Sequence, residues 1–176
     1  RIAGRDVEFY DMDVALRELS YDDGMFRING DVVAMEWHEV SPEITCDDLR
    51  ALYAAGHRAL RFTAGGVSDE LLTLCDELGL YVALTAPINS SRAGMSRQRG
   101  GNPSNDPTWR EEYTSRTVQM IHTTKRHASV VAYFLADDSA NGVCLYDSYL
   151  AAKRVAGHRP VFYGDGGREW NSDDSL

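Results

Sequence analysis

Two carboxylates, Asp137 and Asp138, stand directly after the apolar run Val130-Val131-Ala132-Tyr133-Phe134-Leu135 in the stretch "FLADDS". A run of that kind reads as a buried strand, and acids at the C-terminal end of a strand in an α/β protein are placed for catalysis. The chemistry they suit is general acid/base work. The alternative reading is that both acids cap the following turn. Neighbours on a strand point to opposite faces, so Asp137 and Asp138 are not expected to share one environment. Arg61, at the end of "ALRF", and His38-Glu39, after a short apolar run at 32–35, are further polar residues at strand ends.

The remaining reactive residue types are less suggestive. Cys46, Cys75 and Cys144 are odd in number and widely spaced, which is neither a disulfide framework nor a zinc pattern. Cys75 falls on the apolar face of a helix and reads as a small core residue. No Gly-x-Gly-x-x-Gly or phosphate loop follows a strand, and Gly164-Asp165-Gly166-Gly167 precedes no helix pattern, so a nucleotide site is not expected.

These residues must be held by an alternation of strands and helices. Residues 6–29 alternate loosely around the turn Asp22-Asp23-Gly24 and read as a hairpin-like segment, 1–29, leading in from elsewhere. From about residue 30 to 167 the pattern becomes strand and helix by turns. Strands are expected at 32–35, 59–62, 81–84, 130–135 and 160–163. Helices are expected at 46–55, 69–78, 107–126 and 144–156. Thr45, Ser68 and Asp106 are natural N-caps, Pro107 suits a first helical position, and Gly56 and Gly79 are stops. Residues 89–105 form a long loop rich in Gly, Ser, Asn and Arg. Its Arg92, Arg97 and Arg99 read as a solvated segment and not a polyanion site. The tail, 168–176, is expected to be flexible. The order predicts a parallel sheet with right-handed crossovers. An open doubly wound sheet and part of a (β/α)8 barrel both fit.

The bulk properties narrow the partners. The chain has 176 residues, 43% hydrophobic and 26% charged, as expected for a soluble domain with a sizeable core. A formal net charge of −9 disfavours nucleic acid and anionic membrane surfaces. No apolar run approaches the roughly 20 residues of a membrane span. The first residues lack the apolar core of a signal peptide, so a soluble protein is expected, either cytoplasmic or exported and processed.

An ordered set of stretches, "FRINGDVVAMEWHE" (26–39), "ALRFTAGG" (59–66), "LCDELGLYV" (74–82), "NDPTWR" (105–110) and "RHASVVAYFLADDS" (126–139), resembles glycoside hydrolase family 2, and within it the bacterial β-galactosidases. The resemblance implies a TIM barrel entered from a β-sandwich, with residues 30–167 as strands one to five of the eight. It also implies retaining hydrolysis of β-glycosides by two glutamates, an acid/base after strand four in an Asn-Glu pair and a nucleophile after strand seven. Such catalysis needs carboxyls about 5–5.5 Å apart.

Several matching positions depart from the family pattern. Its Asn-Glu falls on Asp137-Asp138, which makes Asp138 a degenerate acid/base position. A carboxyl one methylene shorter stands back by roughly 1–1.5 Å, and misplacement of about 1 Å can cost on the order of a hundredfold in rate. Asp137, Arg61 and His38 occupy the family's substrate-binding positions, although for His38 a supporting or packing role is favoured over a catalytic one. The family's sugar-touching His-Tyr-Pro falls on Ala64-Gly65-Gly66, and its magnesium-binding Glu and His fall on Asn89 and Ser91. Magnesium wants hard oxygen ligands with carboxylates among them, so no metal and no cofactor are expected. No strand seven lies within this sequence. The expectation is therefore a degenerate, truncated domain without turnover, serving as a sugar-binding or interaction scaffold. A fragment of an active glycosidase, with the nucleophile in a missing segment, is the alternative. Five of eight strands leave two sheet edges, which predicts a homodimer or a partner covering them.

Overall fold

Two tight turns build the first sheet. Asp23 and Gly24, at φ 52° and 75°, link β1 (Leu19–Asp22) to β2 (Met25–Ile28). Asn29 and Gly30, at φ 53° and 90°, link β2 to β3 (Asp31–Val33). Positive φ at both central residues is the twist-matched hairpin geometry that Asn-Gly and Asp-Gly favour. The structure, a computed structural model, describes residues 17–164 and 171–173. Residues 32–35 are thus not the first barrel strand. Val32 and Val33 pair antiparallel with Arg27 and Phe26 instead. The first parallel strand is β4 (Trp37–Val40), so His38 and Glu39 lie within a strand rather than after it.

The second sheet is parallel and follows chain order, β4-β5-β6-β7-β8, with β5 Ala59–Phe62, β6 Tyr81–Thr85, β7 Val130–Phe134 and β8 Val161–Phe162. Strands laid down in sequence without a reversal carry their right-handed crossover helices on one face. That decides for part of a (β/α)8 barrel over a doubly wound sheet, whose strand order must reverse. The helices begin where their caps predict. Thr45 and Asp48 form a capping box at α1 (Cys46–Ala54), and Ser68 Oγ accepts the Leu71 N–H at 3.3 Å above α2 (Asp69–Leu78), which ends on Gly79 at φ 69°. Asp106 caps a single 3₁₀ turn over 107–109, and the long helix α3 (Arg110–Thr124) continues from it. Helix α4 spans Val143–Val155. Among the described residues no helix is long and apolar enough to cross a membrane.

The parallel sheet is apolar on both faces. Leu60, Phe62, Val82, Leu84, Tyr133 and Leu135 pack outward with Leu49, Leu72, Cys75, Ile121 and Leu145 of the helices. Ala83, Val131, Ala132 and Phe162 pack inward against Phe26 and Ile28 of the first sheet. Ring contacts of Phe26 with Trp37 at 6.0 Å and of Tyr21 with Phe162 at 5.2 Å join the two sheets. This parity decides what the strand ends present. Leu60 and Phe62 are outward, so Arg61 is inward. Glu39 pairs with Arg61 across the register and His38 with Leu60, which puts Glu39 inward and His38 outward.

The polar segment 89–105 is pinned rather than solvated throughout. Asn102 and Ser104 are buried. Asn102 Nδ2 donates to Ser90 O at 3.1 Å and Gly94 O at 2.5 Å, and its Oδ1 accepts from Ser90 Oγ and the Ser104 N–H, each at 2.9 Å. The backbone of this loop touches Gly142 so closely that a Cβ there would lie 2.4 Å from Ser104 O. The tail also departs from expectation. Asn171 and Ser172 are buried, and Asp173 N donates to Val161 O at 2.9 Å. Residues 171–173 are therefore docked beside β8 and not loose. The rest of the expected flexible tail, and most of the 1–29 segment before residue 17, lie outside the described residues.

Candidate active site

The corner after β7 brings the expected carboxylate onto the expected arginine. Asp137 N donates to Ile88 O at 3.0 Å, a bridge that extends the β6–β7 pairing past the strands proper. From there Asp137 Oδ1 meets Arg61 Nη2 at 2.5 Å, and its Oδ2 accepts the Ala64 N–H at 2.5 Å. Arg61 Nη1 reaches Glu39 Oε1 at 2.5 Å. The guanidinium lies over the Phe134 ring, 4.3 Å from its centroid, an arrangement that adds cation–π attraction. Arg61 Nε is buried without a hydrogen-bond partner among the described residues. One cation is thus clamped between two carboxylates, Glu39 and Asp137, at the C-terminal end of the parallel sheet. Glu39 is a site residue that the motif comparison passes over in favour of His38. Counting strand parity from Arg61 would have found it.

Asp138 does not join this cluster. It is exposed, with φ 21°, a backbone state unusual for a residue with a Cβ. The turn around it is held from both sides. Ser139 Oγ donates to Asp137 O at 2.8 Å and accepts the Ser90 N–H at 3.0 Å, and Tyr163 Oη donates to Ser139 O. His38 is on the other face of the sheet, its ring 4.0 Å from that of His57. Of the four sequence candidates, the structure brings Arg61 and Asp137 together, leaves Asp138 facing solvent beside them, and puts His38 in a ring contact away from them.

The loop after β5 contributes backbone instead of side chains. Ala64 offers its N–H to Asp137, and Gly65 sits where a Cβ would come 2.5 Å from Pro42 Cγ. The residues at the family's magnesium positions do not fit the ion. Asn89 Oδ1 already accepts from Ser91 N at 3.1 Å and Ser91 Oγ at 2.7 Å. Among the described residues no group of three or more His, Cys, Asp or Glu side chains is arranged to hold a metal ion. A neutral amide and a hydroxyl spent on each other are a poor donor set for a hard dication.

Comparison with known proteins agrees with the partial-barrel fold. The family model for the glycosyl hydrolases family 2 TIM barrel domain matches residues 33–175. A β-galactosidase of Aeromonas hydrophila is 28% identical over 184 residues, covering 98% of this chain and 18% of its own length. One from Vibrio cholerae is 28% identical over 185 residues, with the same coverage of 98% and 18%. The chain therefore spans less than a fifth of these relatives. Among solved structures, a β-glucuronidase from Ruminococcus gnavus superposes with a TM-score of 0.72 at 16% identity, covering 88% of this chain and 29% of that one. A family 2 β-galacturonidase from Eisenbergiella tayi gives 0.68 at 16% identity, covering 85% and 28%.

Proposed function

Since the chain belongs to the glycosyl hydrolases family 2 TIM barrel domain, we propose that it is a β-galactosidase-like barrel domain whose own acid position no longer turns over glycosides, and that it serves as a sugar-binding or interaction scaffold. The observation that carries this reading is the engagement of both Asp137 oxygens, one by Arg61 and one by the Ala64 N–H, while Asp138 faces solvent. A general acid must sit within hydrogen-bond reach of the leaving oxygen. Asp138 is one methylene short of the family's glutamate and is exposed to solvent beside the Arg61–Asp137 pair. Glu39 and Asp137 are held by a guanidinium, an arrangement suited to fixing shape rather than to attacking carbon.

The test is hydrolysis of chromogenic β-galactosides and β-glucuronides by this chain. No release of chromophore is expected. Release that disappears in Asp138→Asn would overturn the inactive reading.

A second reading is favoured by one fact, that the chain covers only 18% of the length of its β-galactosidase relatives. In that reading it is one segment of an active retaining glycosidase, with Asp138 as acid/base and the nucleophile in another segment. A longer chain that hydrolyses these substrates and loses the activity in Asp138→Asn would establish it. The outer edge of β4, which pairs with no other described strand, supports association with a second copy or another partner; sedimentation of this chain at two concentrations tests it.

A further inference from the structure

Residues 125–127, before β7, read Lys-Arg-His, and residues 158–159, before β8, read His-Arg, in a chain whose formal net charge is −9. Arg17 lies beside them, its guanidinium 5.0 Å from the centroid of the Tyr81 ring at the start of β6. The three segments enclose a cavity of about 220 Å³. Arg17, Lys125, Arg126, His158 and Arg159 line it, and none of its described lining residues is Asp or Glu. Val130, which begins β7, also lines it, whereas Asp137 follows that strand. The cavity is thus at the end of the sheet opposite to the Arg61–Asp137 pair.

Backbone carbonyls position these cations, and carboxylates mostly do not. Arg17 Nη1 donates to Ala128 O at 2.9 Å. Arg159 donates from Nε to Val130 O at 2.7 Å and from Nη2 to Lys125 O at 2.9 Å. A guanidinium has more N–H groups than these carbonyls take, so both arginines keep donors to spare. Arg126 meets the Asp69 carboxylate. Arg17, Lys125 and Arg159 form no ion pair among the described residues. One use for such cations is to complement the carbonyl ends of α3 and α4, which finish at Thr124 and Val155. Two helix ends supply about one negative charge between them, which leaves a surplus of about two positive charges.

We propose that this cavity binds one phosphate group, either as inorganic phosphate or as the phosphoryl end of a small ester. A phosphate near neutral pH carries close to two negative charges, which matches the surplus. Its oxygens accept from the Lys125 ammonium and from the spare N–H groups of Arg17 and Arg159, and such charge-assisted bonds are the strong ones. A carboxylate offers half the charge and too few oxygens to serve all three cations. The bound group joins the segment at Arg17 to the loops before β7 and β8.

The experiment titrates the ¹⁵N-labelled chain with inorganic phosphate, glycerol phosphate and acetate in turn, at constant pH and ionic strength, following the Lys125, Ala128 and His158 amides. Saturable shifts are expected with phosphate or its ester, and the tighter of the two identifies the source. Acetate should bind about fivefold more weakly, as befits the loss of one solvent-accessible ion pair. Lys125 is exposed, so its variants should fold, which the unchanged remainder of the spectrum checks. Lys125→Arg should keep the affinity and Lys125→Glu should abolish saturable binding. Arg92→Glu, the same change of charge on the exposed loop after β6, should leave binding as it was. Shifts that do not saturate, acetate binding as tightly as phosphate, unaltered affinity in Lys125→Glu, or an equal loss in Arg92→Glu would each overturn the proposal.

Discussion

Asp137 and Arg61 meet at 2.5 Å with only 15% and 18% of their side chains exposed, 76 residues apart in sequence. This contact ties the loop after β7 to the end of β5. Removing one partner of a nearly buried pair leaves the other charge uncompensated. Arg61→Met should destabilise the chain by about 3 kcal/mol in urea unfolding, by the same reasoning. Asp137→Asn, which keeps an acceptor for the Ala64 N–H, should cost less. A loss indistinguishable from zero in Arg61→Met would mean that the pair is not formed in solution.

A second polar cluster, built around a buried histidine, sits at the opposite end of β7. His127 is 4% exposed, with Nδ1 2.7 Å from Asp76 Oδ2 and Nε2 3.0 Å from Asp69 Oδ1. Asp76 Oδ1 also accepts the Ser129 N–H at 2.7 Å. The histidine thus bolts both ends of α2 to the start of β7. His127→Ala should cost roughly 2–4 kcal/mol, because it opens a cavity and strips a partner from Asp76. Chemical denaturation checks it, and protection of α2 amides from exchange should fall with it.

Acid should loosen the caps and corners in a defined window. The Thr45 hydroxyl holds the Asp48 carboxyl below its usual range, the Arg126 hydrogen bond does so for Asp69, with His127 next, and the Thr108 N–H for Asp106. A carboxyl whose folded value is lowered adds stability above its unfolded value, near pH 4, and that contribution is lost as pH falls through the folded value. The melting temperature should therefore hold between about pH 7 and 5 and decline below about pH 4. Replacing Thr45 with Ala should remove the Asp48 part of the decline.

The cysteines should react in the order of their burial. Burial pushes the Cys75 thiol up to about 12 and the Cys144 thiol up to about 11, so both stay protonated at pH 8. Cys46, half-buried at the start of α1, is the accessible one. Iodoacetamide on the native chain should label Cys46 first, read by peptide mass spectrometry. Early labelling of Cys75 would show that α2 opens readily.

The caps were legible in the sequence because they are local. Thr45, Ser68 and Gly79 each act on residues within four positions, so residue type alone places the helix ends. The first barrel strand was not, because Asn29-Gly30 makes a second two-residue hairpin that draws Val32 and Val33 into the antiparallel sheet. That displaced strand had a consequence for the site. With β4 at 37–40, alternation sends Glu39 to Arg61 and His38 to the helix side, a fact of parity that motif comparison does not register. The pairing of Arg61 with Asp137 was visible only as two positions of a familiar pattern. The reach of Ala64 N to the same carboxylate depends on a loop path that no local rule specifies. The burial of Asn102 and Ser104 likewise depends on contacts with Ser90 and Gly142 that the polar composition of the loop conceals.

The docking of Asp173 on β8 bears on how the chain behaves in concentrated solution. Its carboxylate accepts the Val161 N–H at 2.7 Å and is shared with Lys153 at 2.8 Å and Tyr149 at 2.7 Å. A side chain thereby stands where another strand's carbonyl would go, so this margin of the sheet offers a weak template for accretion. The margin at β4 has no such plug among the described residues. Any strand-to-strand growth should accordingly be one-sided, stopping at pairs joined through Trp37–Val40 rather than running on into fibres.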